Sequence, residues 1–269
     1  MNNLVCIKQV PDTTEIAIDP ITNTLVREGI PCIVNPFDGY ALEMAVRLKE
    51  KVGGNISLLC MGPFQAQTAL KNCLAVGADC AYLLNDRLFS GSDTLATSYI
   101  LSQAVHHIEE KIGNFDLIFC GKQTIDGETA HVGPELAEYL GLVQATNVSE
   151  IDVFEKGLVQ VTRDGYGDGY QEILTFSTPA VITVAKLPYE PRYGTLKSRM
   201  AAGKTAITTI AAIDLAQIDK TKLGYDGSPT KVIKTFTTSF SRQGVMIDGA
   251  DGTAAAQRLI DLLSATKKI

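Results

Sequence analysis

The sequence predicts an α/β fold in which a doubly wound, mostly parallel sheet carries a small antiparallel annex and an extended C-terminal arm. In the first half of the chain, short apolar runs alternate with longer amphipathic segments, which is typical of a parallel sheet covered by helices. From about Asn147 the apolar runs follow one another without helices between them, which favours antiparallel strands. Beyond about Ala206 the hydrophobic pattern thins, as expected for an arm.

The first half of the chain supplies the parallel units in order. Short apolar runs predict strands at residues 4–10, 55–61, 81–84 and 115–120. The segments between them carry apolar faces and capping residues, and they predict helices that begin near Asp38, Gln65, Thr94 and Pro134. A polar excursion up to about Gly29 separates the first strand from the first helix.

The second half supplies the annex and the arm. The annex is predicted from β-like runs at residues 148–153, 158–162, 172–176 and 180–185. A weak strand candidate lies at residues 231–240, and an amphipathic helix is expected at residues 254–265. We therefore divide the chain into a nucleotide-binding α/β domain, residues 1–205, and a C-terminal arm, residues 206–269. The domain includes a candidate docking loop at residues 187–200, and we expect the arm to pack on a partner subunit.

Composition limits the possible functions. The chain has 269 residues, 45% of them hydrophobic, and a net charge of −6, so neither nucleic acid nor an anionic membrane surface is an expected partner. It shows no signal peptide and no apolar stretch of the roughly 18–20 residues that a membrane span requires, so a cytoplasmic location is expected. The six cysteines form no C-x-x-C pair, and no metal-ligand cluster is evident.

The loop at residues 121–134 is the first candidate site, because it leaves a predicted strand and enters a predicted helix. Ligands bind at that edge of open parallel sheets, and backbone N–H groups at a helix start attract phosphate. An ordinary polar connection is the alternative. The segment Ser90–Thr94 is a second candidate anion cradle, although simple helix capping explains Ser92 or Asp93 equally well.

The segment at residues 187–197 is a candidate for protein docking. It contains two prolines, a glycine and two tyrosines, and it places Leu196 between polar neighbours. An apolar side chain in such a loop can anchor a partner protein. Alternatively, Leu196 packs onto its own domain.

Common catalytic motifs are absent from the sequence. It contains no G-x-G-x-x-G dinucleotide fingerprint, no Walker-type phosphate loop and no G-x-S-x-G nucleophile elbow. No pair of carboxylates is arranged for acid–base chemistry. The pattern indicates a nucleotide-binding sheet without a catalytic constellation, as in a carrier whose chemistry belongs to its cofactor.

The loop at residues 122–130 reads Lys-Gln-Thr-Ile-Asp-Gly-Glu-Thr-Ala and is followed by Val132-Gly133-Pro134. It closely resembles the nucleotide loop of the electron transfer flavoprotein β-subunit, and other segments resemble that family too. Residues 5–12 resemble the family's opening strand, and residues 35–38 resemble its second nucleotide-contacting segment. Residues 179–184 resemble the end of the family signature, and residues 190–196 resemble its recognition loop. Tyr166 departs from the family, where an acidic residue is usual. The resemblance covers about residues 3–205.

The resemblance implies a heterodimer with an α-subunit that holds an electron-shuttling FAD. In simple members the β-subunit binds AMP as a structural nucleotide. In bifurcating members the same site holds a second FAD, which takes a hydride from NADH and passes electrons to ferredoxin or flavodoxin and to the α-subunit flavin. Residues 126–134 and 91–99 resemble the bifurcating type, so FAD is favoured over AMP. The partner dehydrogenase would be an acyl-CoA or lactate-type flavoprotein.

The resemblance also implies roles for individual residues. The adenosine pocket and its surroundings would be formed by Cys6, Asn35, Phe37, Asp38 and Met61. Gln123 would reach the flavin or its chain. The phosphates and ribityl chain would be held by Asp93, Thr94 and Thr97 and by the backbone from Asp126 to Gly133, which includes Gly127, Glu128, Thr129, Ala130 and Val132. Leu196 would dock the dehydrogenase together with Arg192 and Tyr193.

A different nucleotide-binding α/β module remains a third hypothesis. An adenylating enzyme or a stress-type ATP binder would turn over ATP and carry no flavin. The sequence lacks an ATP-specific phosphate motif for that role.

Overall fold

The computed structural model describes residues 1–12, 31–155, 157–165, 169–233 and 244–265. Its first half contains β1 (Asn2–Cys6), β2 (Gln9–Pro11), β3 (Cys32–Val34), α1 (Pro36–Val52), β4 (Asn55–Met61), α2 (Gln67–Val76), β5 (Cys80–Leu84), α3 (Thr94–Ile112), β6 (Leu117–Gly121) and α4 (Val132–Leu140). Its second half contains β7 (Val143–Glu155), β8 (Leu158–Asp164), β9 (Gln171–Ser177), β10 (Ala180–Val184), α5 (Leu196–Lys204), β11 (Thr208–Ile210) and α6 (Gly252–Ala265).

Within these described residues, nine strands form one sheet in the order β11-β5-β4-β1-β6-β10-β7-β8-β9. The strands from β11 to β7 are parallel, whereas β8 and β9 continue the sheet in antiparallel pairing. Helices α1 and α2 pack on one face, and α3 and α4 pack on the other. The central strands are buried on both faces, which explains their unbroken apolar sequence. The predicted α/β class is confirmed.

The first predicted strand is divided in the structure. Strand β1 ends at Cys6, and β2 then pairs with β3 in a separate antiparallel ribbon. The reason lies at Lys8, whose N–H donates to the Asp38 carboxylate and whose carbonyl accepts from the N–H of Asn35. These bonds bind the backbone to the start of α1, so it cannot continue the main sheet.

The prediction that residues 180–185 belong to the antiparallel annex is wrong. Strand β10 lies in the main sheet, parallel to both β6 and β7. All five of its residues are buried, as expected for a central strand rather than a strand of a half-exposed hairpin. The antiparallel part consists of the β7–β8–β9 meander, and β9 alternates between exposed and half-buried residues.

One compact unit of the chain runs from Met1 to Ile233. Strand β11 pairs with β5 at the edge of the sheet, and Ile210, Leu215 and Leu223 are buried in the core that α3 covers. The second unit, residues 234–269, contains α6.

Some predictions fall outside the described residues. These are the polar excursion, at residues 13–30, and most of the strand candidate at 231–240. Among the described residues, no helix combines the length and apolar content needed to cross a bilayer.

Candidate functional site

The predicted nucleotide site lies where β1, β4 and β6 end. Cys6, Met61 and Gly121 are the last residues of these three neighbouring strands, so their carboxyl ends share one edge of the sheet. Helices α1 and α4 begin near this edge, and α3 begins beside α4. This is the edge at which open α/β sheets bind ligands. We refer to it as the nucleotide edge.

The loop from β6 to α4 presents backbone amides at this edge. Glu128 and Ala130 adopt left-handed conformations, with φ of 52° and 58°, although neither is glycine. Within the described part of the chain, the N–H groups of Thr129, Ala130 and His131 donate to no acceptor. Free amides at a helix start, in a strained loop, are a suitable environment for phosphate oxygens.

Hydrogen bonds of Asp38 and Asn35 connect the segments that meet at the nucleotide edge. The buried Asn35 amide donates to the Asp38 carboxylate at 2.9 Å and to the Gln123 carbonyl at 2.9 Å, while its oxygen accepts from the N–H of Ile125 at 3.3 Å. Asp38 also accepts from the N–H of Lys8 at 2.7 Å. Burial raises the pKa of Asp38 to about 7, although these hydrogen bonds favour its charged form. The Asp38 carboxylate therefore serves as an internal junction.

Lys8 connects the end of β1 to the loop. Its ammonium group lies 2.8 Å from a carboxylate oxygen of Asp126. Partial burial acts to raise the pKa of Asp126, but the hydrogen bond and charge of Lys8 outweigh it, so the pKa lies below its usual value. The pair neutralises an acidic side chain that would otherwise repel an anionic ligand at this edge.

The start of α3 is held by a segment far along the chain. Asp93 caps the helix by accepting from the N–H of Ala96 at 3.0 Å, and its second oxygen accepts from both the N–H and the hydroxyl of Thr230. The N–H of Asp93 donates to the Ser228 hydroxyl at 2.8 Å. Burial acts to raise the pKa of Asp93, but the bonds from Thr230 and the helix amides lower it overall. Asp93 therefore orders the site's framework.

Helices α3 and α4 are joined by a carboxylate. The hydroxyls of Thr94 and Ser98 each donate to Glu135 at 3.1 Å, and Ser98 also contacts the carbonyl of Val132 at 3.2 Å. Glu135 lies in the first turn of α4, where the helix dipole favours a negative charge. The predicted phosphate contact Thr94 is thus engaged with Glu135, while Thr97, one turn further along α3, is half-buried.

Two glycines permit close packing around the loop. A Cβ atom on Gly133 would lie 2.4 Å from the Thr183 methyl group, and one on Gly121 would lie 2.3 Å from the Asp38 carboxylate. Both values are shorter than any tolerable contact. The glycines therefore allow α4 and α1 to approach the sheet, and they fix the edge's shape.

The thiols below the nucleotide edge are not activated. Hydrogen bonding with Cys120, reinforced by burial, raises the pKa of Cys6 well above its usual value, and burial raises that of Cys60 to about 12. These groups stay protonated at neutral pH and act as small packing residues.

The predicted docking segment forms an ordered surface element, which we call the docking element, residues 189–204. Its second part is α5, which begins at Leu196, so the loop expected at residues 187–200 becomes helical there. Tyr193, Leu196 and Met200 are 87%, 77% and 62% exposed. Arg192 is different, because its guanidinium group is engaged with Glu43 and Glu50 on α1.

The structure thus gathers most of the predicted cofactor residues along one edge. Cys6, Asn35, Phe37, Asp38, Met61 and Gln123 lie around the ends of β1, β4 and β6, and Asp93, Thr94 and Thr97 lie on the α3 side. Their ligand contacts stay predictions. The sequence alone predicts no site role for five residues that the structure places here: Lys8, Ser98, Glu135, Ser228 and Thr230. A signal for Ser98 is present in the sequence, because the i, i+4 spacing of Thr94 and Ser98 places both side chains on the same face of α3.

The chain is similar to known proteins over nearly its whole length. Residues 22–215 match the family model described as the electron transfer flavoprotein domain. The chain is 45% identical to the electron transfer flavoprotein subunit beta of Thermoanaerobacterium thermosaccharolyticum over 264 residues, which cover 98% of each protein. It is 44% identical to the Megasphaera elsdenii protein of the same name, over the full length of both. It is 41% identical to protein FixA of Azorhizobium caulinodans, covering 97% of this chain and 92% of that one.

Proposed function

The chain belongs to the family of electron transfer flavoprotein β-subunits and FixA proteins, and from this premise we propose that it binds FAD at the nucleotide edge and serves electron bifurcation. Membership in the family implies an α-subunit partner and a role in electron transport. The choice of FAD, the use of NADH and the identity of the acceptors are our proposals.

The loop from Gly121 to Gly133 is the observation that carries this proposal. Its free N–H groups at the start of α4 provide donors for a pyrophosphate without a Walker-type lysine. The Lys8–Asp126 pair and the Thr94–Glu135 bond engage two of the acidic side chains around it, Asp126 and Glu135. An anionic dinucleotide can therefore bind to backbone donors rather than to a cationic cluster.

The chain's own residues bind and orient the cofactor. Thr129, Ala130 and His131 offer N–H groups to the phosphates, and Thr97 offers a hydroxyl from α3. Asn35 fixes the loop through the Gln123 carbonyl and the Ile125 N–H. When bound, FAD would supply hydride acceptance from NADH and single-electron transfer to ferredoxin or flavodoxin and to the α-subunit flavin. The protein supplies position and electrostatics.

We assign each of the remaining partner proteins to an exposed surface of the chain. The docking element carries an exposed apolar patch, formed by Tyr193, Leu196 and Met200, which would meet a flavoprotein dehydrogenase of the acyl-CoA or lactate type. The C-terminal unit would pack on the α-subunit, because α6 has half-exposed Leu259 and Ile260 on a short amphipathic helix.

The decisive experiment is extraction of flavin and nucleotide from the purified α–β complex, with quantification by absorbance and chromatography. We expect two FAD and no AMP per heterodimer. One FAD and one AMP would overturn the bifurcation proposal and leave a one-flavin relay with a structural nucleotide. Reduction by NADH is the second assay, and it should proceed only in the two-FAD form.

A matched pair of variants tests the location of the site. Thr97→Val removes the α3 hydroxyl that we propose reaches the phosphates, whereas Thr208→Val makes the same change on the exposed end of β11. We expect only Thr97→Val to lower cofactor retention, by roughly fivefold or more, the loss expected for one polar ligand contact. Equal retention in both variants would place the phosphate site elsewhere.

A further inference from the structure

We propose that Glu43 and Arg192 form a clamp that positions the docking element, so that a partner dehydrogenase meets a surface assembled before binding. This inference rests on the docking role proposed above. It gives α1 a second function beyond its contacts at the nucleotide edge, and it assigns a role to Glu43, which lies outside every site predicted from the sequence.

The clamp is a network of ion pairs between α1 and the docking element. The Glu43 carboxylate accepts from the Arg192 guanidinium at 2.9 and 3.1 Å and from the backbone N–H of Arg192 at 3.1 Å. Arg47 donates to the same carboxylate at 2.7 Å. Glu50, one helical turn beyond Arg47, binds the other side of Arg192 at 2.5 and 3.0 Å.

Burial makes this network more than a surface ion pair. The Glu43 side chain is only 1% exposed, while that of Arg192 is 36% exposed. A buried carboxylate needs its counter-charges, and losing one of them is costly. Burial acts to raise the pKa of Glu43, but Arg192 and Arg47 outweigh it, so the carboxylate stays charged at neutral pH. Arg192 is therefore held in one position relative to α1.

Neighbouring contacts restrain the rest of the docking element. The Arg47 guanidinium lies 3.5 Å from the centre of the Tyr189 ring, in a cation–π contact. Gly194 packs so closely on α2 that a Cβ there would lie 2.7 Å from the Ala75 methyl group. At the far end, Lys71 on α2 donates to the carbonyls of Ala202 and Gly203, which close α5.

This arrangement changes the role expected for Arg192. From the sequence, Arg192 is expected to be among the residues that touch the dehydrogenase. In the structure its Nε and both terminal nitrogens already bind Glu43 and Glu50. Arg192 is thus a positioning residue, and contact with the partner falls to Tyr193, Leu196 and Met200. Positioning lowers the cost of ordering a loop when it binds.

The first test measures order in the docking element without any dehydrogenase. In the α–β complex, we expect Glu43→Gln to speed amide hydrogen exchange in residues 189–204 by about fivefold or more and to leave residues 126–133 unchanged. Glu172→Gln is the control, because it makes the same change in a more exposed ion pair, with Arg163 on the β8–β9 hairpin, away from the docking element. Unchanged exchange in residues 189–204 would overturn the clamp.

The second test measures function with a purified acyl-CoA dehydrogenase as the electron-exchange probe. Glu43→Gln should raise the KM for the dehydrogenase by roughly fivefold, keep kcat, and retain the full cofactor content, since ordering enters the binding step. Glu50→Gln should give a smaller change of the same kind, which guards against misfolding of the first variant. A fall in kcat at constant KM would contradict positioning.

Leu196→Ala separates this inference from the docking proposal. If Leu196→Ala leaves the KM unchanged, the docking function itself is wrong. If Leu196→Ala raises the KM while Glu43→Gln leaves both KM and exchange unchanged, only the clamp is wrong. If the clamp acts through Leu196, the double variant should raise the KM by less than the product of the two single effects.

Discussion

The nucleotide edge and the docking element both contact α1, and each is bound to that helix through one buried acidic residue. Asp38, in its first turn, accepts hydrogen bonds from uncharged donors on Lys8 and Asn35. Glu43, further along, accepts from the guanidinium groups of Arg47 and Arg192. Burial raises the pKa of Asp38 to about 7, whereas the guanidinium groups hold that of Glu43 below its usual value.

This difference between the two pKa values shows how far each kind of hydrogen-bond donor offsets the cost of burying a charged carboxylate. Amide donors satisfy the geometry of a buried carboxylate but do not fully replace its hydration, so the charged form stays unfavourable. Guanidinium groups supply both hydrogen bonds and opposite charge. The nucleotide edge consequently contains a group that titrates near neutral pH, while the docking element is held by charges that persist throughout that range.

The largest expected effect comes from adding one methyl group to each region. In Gly121→Ala the new Cβ would meet the Asp38 carboxylate at 2.3 Å and the Phe37 backbone at 2.7 Å. The start of α1 must then move, at a cost of about 3 kcal/mol or more in unfolding free energy. Gly194→Ala displaces only the docking element from Ala75, at about 1 kcal/mol. Urea unfolding followed by circular dichroism would compare them, and equal losses would refute the assignment of Gly121 to the framework.

The second prediction uses pH. The folded pKa of Asp38, about 7, exceeds its unfolded value, so the folded state binds the extra proton and stability falls as pH rises from about 4 to 7. The stability advantage of the native chain over Asp38→Asn should therefore shrink from pH 5 to pH 8, by on the order of 3 kcal/mol.

Glu43 gives the matching control for that measurement. Its pKa is lowered, so its contribution is present above the unfolded value of 4.5 and is lost only as pH falls further. The difference between the native chain and Glu43→Gln should hence be constant between pH 5 and pH 8. A change as large as that of Asp38→Asn would erase the contrast between the two regions.

The smallest expected effect concerns the segment that caps α3. Thr230→Val removes the hydroxyl that donates to Asp93 but keeps the backbone bond. We expect a loss of about 1 kcal/mol in unfolding free energy, typical of one hydrogen bond, and a modest fall in cofactor retention. The exposed Thr208→Val serves again as control. Unchanged retention alongside the stability loss would show that the cap supports α3 without reaching the site.

The elements that the sequence predicted best are those with a local signal. Helices α1, α2 and α3 carry apolar faces and glycine ends, and the loop after β6 follows from a buried strand and a helix start. The position of β10 could not be read in this way. An unbroken apolar run fits a central strand, but its neighbours are set by packing across the whole sheet.

The candidate site likewise contains features that have a local sequence signal and features that have none. Its edge of the sheet was predictable, because parallel strands place their carboxyl ends together. The hydrogen bonds that join Asp93 to Ser228 and Thr230 were not predictable, since more than a hundred residues separate Asp93 from these partners. The clamp was missed because Glu43 lies on a helix face that resembles any exposed polar face until the docking element covers it.

The place of β10 between β6 and β7 has a consequence for synthesis. The far edge of β6 acquires its neighbour only when residues 180–184 have left the ribosome, after the whole β7–β9 meander has been made. At about 5–20 residues per second, the growing chain shows an open apolar strand edge for several seconds. Chaperone capture of nascent chains should therefore concentrate in that interval and end once β10 has been inserted.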